Sequence, residues 1–236
     1  MIKKKIYKHI AVIPARSGSV GFPKKNQIFF DNTADFLDNL LWLDEIIVTS
    51  NDKVVLKKAR ERKYIDHKRS KVLSKSNVSI KSVFKELVDS LNIEDDVILW
   101  LFYLPILYKN ISDFEKAKII IEKPKTNSLC TFIPAKTHPF NTWRYERNKK
   151  KLSQYIKNNC FRRQDLPPAW MHYHYVSCFK AKILKKLNSE LLNAETYPVF
   201  LSNNYAKNLI EIDEPKNYEK WKKINRKLKY SNEKKK

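Results

Sequence analysis

Apolar positions along this chain alternate between short uninterrupted runs and longer stretches with helical spacing, and that alternation predicts the order of elements. Ile6 to Pro14 (IYKHIAVIP) is a run with β-branched residues that closes on proline, which suits a buried strand. A loop holding Gly18 and Gly21 comes directly after it. Phe36, Leu37, Leu40 and Leu41 stand at helical spacing, and Glu45 to Ser50 reads as the next strand. Asp52 to Lys63 reads as a charged helix, and Ser79 to Leu91 as a second with Val83, Leu87 and Leu91 on one face. The continuous apolar run DVILWLFYLP, residues 96–105, fits a strand covered on both sides. Ser112 to Ile121 is then helical and Leu129 to Pro134 a strand. Periodicity fades between Lys136 and Leu166, where a protruding hairpin or loop region is expected. It returns with a strand over 173–179, a helix from Ala181 to Leu187, a strand from Pro198 to Leu201 and a closing helix from Glu214 to about Lys227. Strands alternating with helices predict an α/β domain with a largely parallel sheet.

With 236 residues and 42% hydrophobic content, the chain is expected to form one domain over 1–226, followed by a basic disordered tail over 227–236. No run reaches the roughly 18 apolar residues of a membrane helix, and the first residues turn polar too soon for a signal peptide. Cys130, Cys160 and Cys178 are odd in number and show no CxxC or HxxxH companion, which argues against a disulfide framework or a zinc site. A soluble cytoplasmic protein is the expectation. The net charge of +23 raises the question of nucleic acid. Only nine of the 48 basic residues are arginine and the lysines are spread along the chain, so the charge reads as a solvated basic surface.

The chemistry concentrates in the glycine loop. Gly18 and Gly21 are the only two glycines of the chain, and they lie in Pro14-Ala15-Arg16-Ser17-Gly18-Ser19-Val20-Gly21, followed by Pro23-Lys24-Lys25-Asn26. A glycine loop leaving the first strand of such a sheet stands where backbone amides can approach phosphates. This stretch resembles the IPARGGSKGIPRKN signature of the CMP-acylneuraminate synthetases, cytidylyltransferases that activate acidic sugars. The resemblance continues in order through IIVTSND (46–52), KRSKVLSKSNVSIKSV (68–83, with Arg69, Leu73 and Ser79), FRRQDLPPAW (161–170) and NLIEIDEPKNYEKW (208–221).

The resemblance implies a three-layer nucleotide-diphosphosugar transferase fold, usually dimeric, in which a sugar hydroxyl attacks the α-phosphate of CTP and pyrophosphate leaves. It implies Mg²⁺ and CTP as the requirements of the reaction, and an acidic sugar as acceptor. Arg16, with the amides around Ala15, Gly18 and Ser19, is expected to hold the triphosphate. Lys24 and Lys25 would add cationic charge, and Asn26 and Ser79 would place ribose and base. Arg163 and Gln164 would contact the acidic sugar or the triphosphate. Glu211 and Asp213 share one face of an extended segment and stand where the family carries its metal-binding aspartates.

Four positions depart from the family pattern. Val20 replaces a lysine, the apolar LWLFYLPIL (99–107) replaces a strand end with polar side chains, Tyr173-His174 replaces Asn-Gly, and Glu211 replaces an aspartate. Removing one charge-stabilising group from a phosphoryl-transfer site costs about 10²–10³ in rate. Two readings stay open: an active cytidylyltransferase with a rebuilt acceptor pocket, and a non-catalytic relative that binds nucleotide or serves as a structural subunit. His172 and His174 share a face of their strand; without a third ligand in sight they read as a hydrogen-bonded pair rather than a metal site. His138, before Pro139, reads as structural.

Overall fold

The strand β1 (His9–Pro14) is apolar on both faces because it lies inside a sheet, and its alternate residues feed two separate cores. Ala11 and Ile13 join Phe30, Trp100, Phe102 and Phe114 on one side, while Ile10 and Val12 join Phe84, Leu87, Leu99 and Phe179 on the other. This computed structural model describes residues 8–233. Parallel to β1 run β2 (Glu45–Ser50) and β4 (Ile98–Leu101), with β3 (Ile65–Lys68) outside β2. Next come β8 (Trp170–Lys180), β5 (Ser128–Pro134) and β9 (Tyr197–Phe200). The seven-stranded order is β3-β2-β1-β4-β8-β5-β9, and β8 runs against both its neighbours. The α/β class with a mostly parallel sheet is therefore the observed one.

Helices cover both faces, giving three layers. α1 (Lys25–Asp38), α2 (Lys53–Glu61) and α4 (Ile111–Ile121) bury Phe30, Val55 and Phe114 against one core. α3 (Ile80–Ser90) buries Phe84 and Leu87 against the other. Asp52 caps α2 by accepting from the N–H groups of Val54 and Val55, and Ser79 caps α3 through Ser82 N–H. β6 (Trp143–Glu146) and β7 (Lys151–Gln154) form a separate two-stranded hairpin in the stretch without periodicity. A short helix α5 (Asn203–Ala206) and the closing helix α6 (Pro215–Glu233) complete the chain.

The boundaries differ from expectation in instructive places. The run 96–105 supplies only four strand residues: Phe102 N–H makes a last bond to the Val12 carbonyl and the chain then turns at 104–105. Leu41 is almost fully exposed; α1 ends at Asp38 and Leu41 falls in the turn before β2. Residues Ala181–Lys186 wind as a 3₁₀ segment rather than an α-helix. The edge strand β3 has no counterpart in the pattern reading, since its residues face solvent. α6 continues to Glu233, past the Lys227 limit expected from sequence, and residues 234–236 of the expected tail lie outside the described residues.

Candidate active site

The loop after β1 is held by its neighbours before any ligand is considered. Asn51 clamps Ser17 twice, its Oδ1 accepting from the Ser17 N–H and its Nδ2 donating to Ser17 Oγ, both at 2.8 Å. Ser50 Oγ donates to the Ala15 carbonyl, and the Asp52 N–H donates to Ser50 Oγ. Asn26, at the start of α1, donates from Nδ2 to the Arg16 carbonyl at 2.8 Å. Ala15 is fully buried with its own N–H committed to the Thr49 carbonyl, so it shapes the loop's root rather than the cavity wall.

The two glycines do different work. Gly18 has φ 78°, a left-handed conformation that side chains resist. Gly21 packs directly on Asp213, where an added Cβ would lie 2.6 Å from its carbonyl oxygen. Lys24 is itself left-handed, φ 57°, and turns the chain into α1.

A cleft of about 330 Å³ opens at the carboxyl ends of β1 and β4. Arg16, Ser19, Lys25, Asn26, Ser79 and Glu211 line it, so residues from three distant parts of the sequence meet there. A smaller adjoining space of about 130 Å³ is lined by Arg16, Gly18, Ser19, Lys24 and Lys25. Lys25 reaches Asp213 Oδ1 at 2.6 Å. Ile212, fully buried, lies between Glu211 and Asp213 and puts both carboxylates on the opposite face. The segment is pinned by the Ile212 N–H donating to the Pro105 carbonyl at 3.0 Å and by pairing of Glu211 with Ile106. Burial, reinforced by Asp213 and relieved in part by Lys25, raises the Glu211 pKa.

Three cleft residues were not singled out as site residues from the sequence. Arg69 is buried, donates to the Thr49 carbonyl at 3.0 Å, and is lowered to about 10 by burial, with Glu86 opposing. Tyr103 lies in the middle of the apolar 99–107 stretch, just past β4, and burial raises its phenol pKa. Glu190 comes from the turn after the Ala181–Lys186 segment. Arg69 carried a signal as part of the quoted motif; Glu190 carried none.

Two expected residues lie elsewhere. Arg163 lines a separate space of about 660 Å³ with Lys136, His138, Phe161 and Pro167, and Gln164 shares its 3₁₀ turn (Arg163–Asp165). His138 accepts from the Phe140 N–H through Nδ1 and donates to the Pro167 carbonyl through Nε2 at 2.8 Å, which ties this region together. Val20 is 94% exposed and lines neither the cleft nor the space beside it.

His172 and His174 sit at the start of β8. Because β8 is reversed, that start emerges beside the carboxyl end of β4, and the His174 ring meets Tyr103 edge to face at 5.7 Å between centroids. Burial, with His172 adding to it, lowers the His174 pKa to about 4, so its ring is neutral at neutral pH. The expected hydrogen-bonded pair is not what forms. The two rings stand edge to face at 5.3 Å and both face the Glu190 carboxylate.

No protein-family model matches this sequence, and no curated protein does. The fold is similar to that of a CMP:2-keto-3-deoxy-manno-octonic acid synthetase complexed with CTP, with a TM-score of 0.63 and 13% identity over 94% of this chain and 99% of that one. It is also similar to a 4-diphosphocytidyl-2C-methyl-D-erythritol synthase from Anaerococcus prevotii, with a TM-score of 0.51 and 14% identity over 89% of this chain and 94% of the other. The bifunctional IspDF from Campylobacter jejuni gives 0.56 at 12% identity over 88% of this chain and 52% of its own. At these identities the likeness is one of fold, and the chain has the Rossmann-like α/β architecture of these nucleotidyltransferases.

Proposed function

We propose that the chain is a nucleotidyltransferase of the CMP-acylneuraminate synthetase type, transferring CMP from CTP to an acidic nonulosonate sugar with release of pyrophosphate. The observation that carries this reading is the meeting of Arg16, Ser19, Lys25, Asn26, Ser79 and Glu211 in one cleft at the carboxyl end of β1. Arg16 and the loop around Gly18 take the triphosphate, with Lys24 and Lys25 alongside. Asn26 and Ser79 act from the cleft wall, although the side chain of each also holds local structure.

Glu211 and Asp213 fit a hard divalent cation such as Mg²⁺: both offer carboxylate oxygens on one face, and burial, with Asp213 adding to it, disfavours the Glu211 charge in a way that a bound cation would relieve. Such an ion, when bound, neutralises charge on the transferring phosphoryl group. A homodimer accompanies this reading. Trp143, Tyr145 and Leu152 are all exposed around one face of the hairpin, an apolar surface of the kind that subunits cover.

The second reading, a nucleotide-binding relative without turnover, draws on Val20, which faces solvent where the resembled family has its phosphate lysine. One experiment separates the two. The chain is incubated with CTP, Mg²⁺ and a panel of nonulosonic acids while pyrophosphate is measured. Release with at least one acid supports the enzyme; CTP binding without release under any acid leaves the second reading standing instead.

A further inference from the structure

His172 and His174 are joined by a third potential ligand that sequence spacing did not reveal. One ligand atom from each of His172, His174 and Glu190 lies within 4.8 Å of the others, and among the described residues these are the three His, Cys, Asp or Glu side chains grouped closely enough to hold a metal ion. Glu190 Oε2 stands 3.5 Å from His174 Nε2 and 4.0 Å from His172 Nε2. A tetrahedral ion with bonds of about 2.0–2.1 Å keeps its ligand atoms about 3.3 Å apart. The group therefore needs only small side-chain adjustments to close on one.

A second observation points the same way. His174 is 8% exposed, and its Nε2 is a buried atom without a hydrogen-bond partner. Buried polar atoms left in that condition are uncommon and costly. The other ring nitrogen is engaged: Nδ1 lies 3.2 Å from Ser177 Oγ and 3.8 Å from Cys130 Sγ. In the tautomer with its proton on Nδ1 and donated to Ser177, His174 presents the Nε2 lone pair to the Glu190 side, the arrangement that supports histidine ligands in metal sites. In that tautomer Nε2 and the Glu190 carboxylate are two acceptors 3.5 Å apart, which a cation between them reconciles.

We infer that His172, His174 and Glu190 bind a divalent transition ion of the Zn²⁺ class. Two imidazoles and one carboxylate suit such an ion better than Mg²⁺, which favours oxygen ligands in octahedral array. Three protein ligands leave a position for water or a ligand oxygen. Glu190 also lines the main cleft, so that position is reached from the cleft side. This centre is separate from the Glu211–Asp213 carboxylates, and its existence does not depend on nucleotide transfer.

Cobalt serves as the probe. Untagged full-length protein, stripped with a chelator and dialysed, is titrated with Co²⁺ while its visible absorption is followed. One equivalent is expected to saturate intense bands of four- or five-coordinate cobalt. His172→Ala and Glu190→Gln, both at partly exposed side chains, are each expected to weaken Co²⁺ binding at least about tenfold, whereas Glu211→Gln leaves it unchanged. Zn²⁺ should raise the melting temperature of the parent and not of His172→Ala. Weak octahedral bands only, bands that persist in both variants, or bands lost in Glu211→Gln would overturn the assignment.

Discussion

Gly21 rests against the backbone of Asp213 with no room for a side chain, since a Cβ there would lie 2.6 Å from the Asp213 carbonyl oxygen. The obstacle is main chain, so the loop or the 211–213 segment has to move. Gly21→Ala is expected to cost about 1–3 kcal/mol of stability and to weaken CTP binding, read by urea unfolding and calorimetry. Gly18→Ala meets no atom within 4 Å and suffers only from its φ of 78°, so its cost is expected near 1 kcal/mol. Equal effects from the two would contradict this account.

Lys25 joins the two halves of the site by its 2.6 Å contact with Asp213. Lys25→Met removes a cation from the cleft and leaves Asp213 and Glu211 repelling each other. Nucleotide affinity is expected to fall about tenfold or more, in line with about 1.5–3 kcal/mol for a charged hydrogen bond. Divalent-ion affinity at the carboxylates should rise in the same variant. Calorimetric titrations with CTP and with Mg²⁺ measure the two in turn, and a parallel fall in both would count against the placement.

Val20 offers a substitution free of packing consequences, being 94% exposed. Val20→Lys is expected to leave stability within about 0.5 kcal/mol and to raise the rate of pyrophosphate release by about tenfold or more. An unchanged rate would mean that Lys24 and Lys25 already supply the neutralising charge.

Lys109 gives the fold a pH dependence of its own. Although the residue is partly exposed, its ammonium is turned inward onto Thr33 Oγ1 at 3.0 Å and the Ile106 carbonyl, and burial lowers its pKa to about 7. Between that value and the unfolded one of about 10.4, the unfolded chain holds the proton that the native chain has released, so stability rises with pH across this window. Below it both states are charged and the contribution is flat. Lys109→Met should flatten the rise, which denaturant unfolding at about pH 7 and about pH 9.5 would detect.

What the sequence made legible was whatever rests on local pattern. The double-faced run around β1 announced a buried strand because both its faces are covered, and the glycine loop announced itself because Gly18 and Gly21 each meet a backbone requirement. Glu211 and Asp213 were readable for the same reason, being fixed by alternation about Ile212. Glu190 was not, since no local spacing links a turn residue to two histidines on a distant strand. Arg163 shows the opposite case. Its motif is distinctive, yet the turn holding it sits at another cavity, because the chain leaves the sheet after β5 and rejoins it only at β8. β3 escaped notice because an exposed edge strand has no apolar face to advertise it.

The reversal of β8 has a bearing on how such a protein changes over time. A parallel strand delivers to the cleft only the residues after its core run, whereas β8 delivers those before it, straight out of the hairpin region. The cleft thus has two independent sources of variation, one downstream of β4 and one upstream of β8. Substitutions arriving by the second route can remodel one wall of the cleft while the glycine loop, anchored on β1 and β2, keeps its shape. Divergence of one cleft wall and persistence of the glycine loop then become separable traits of the same sheet.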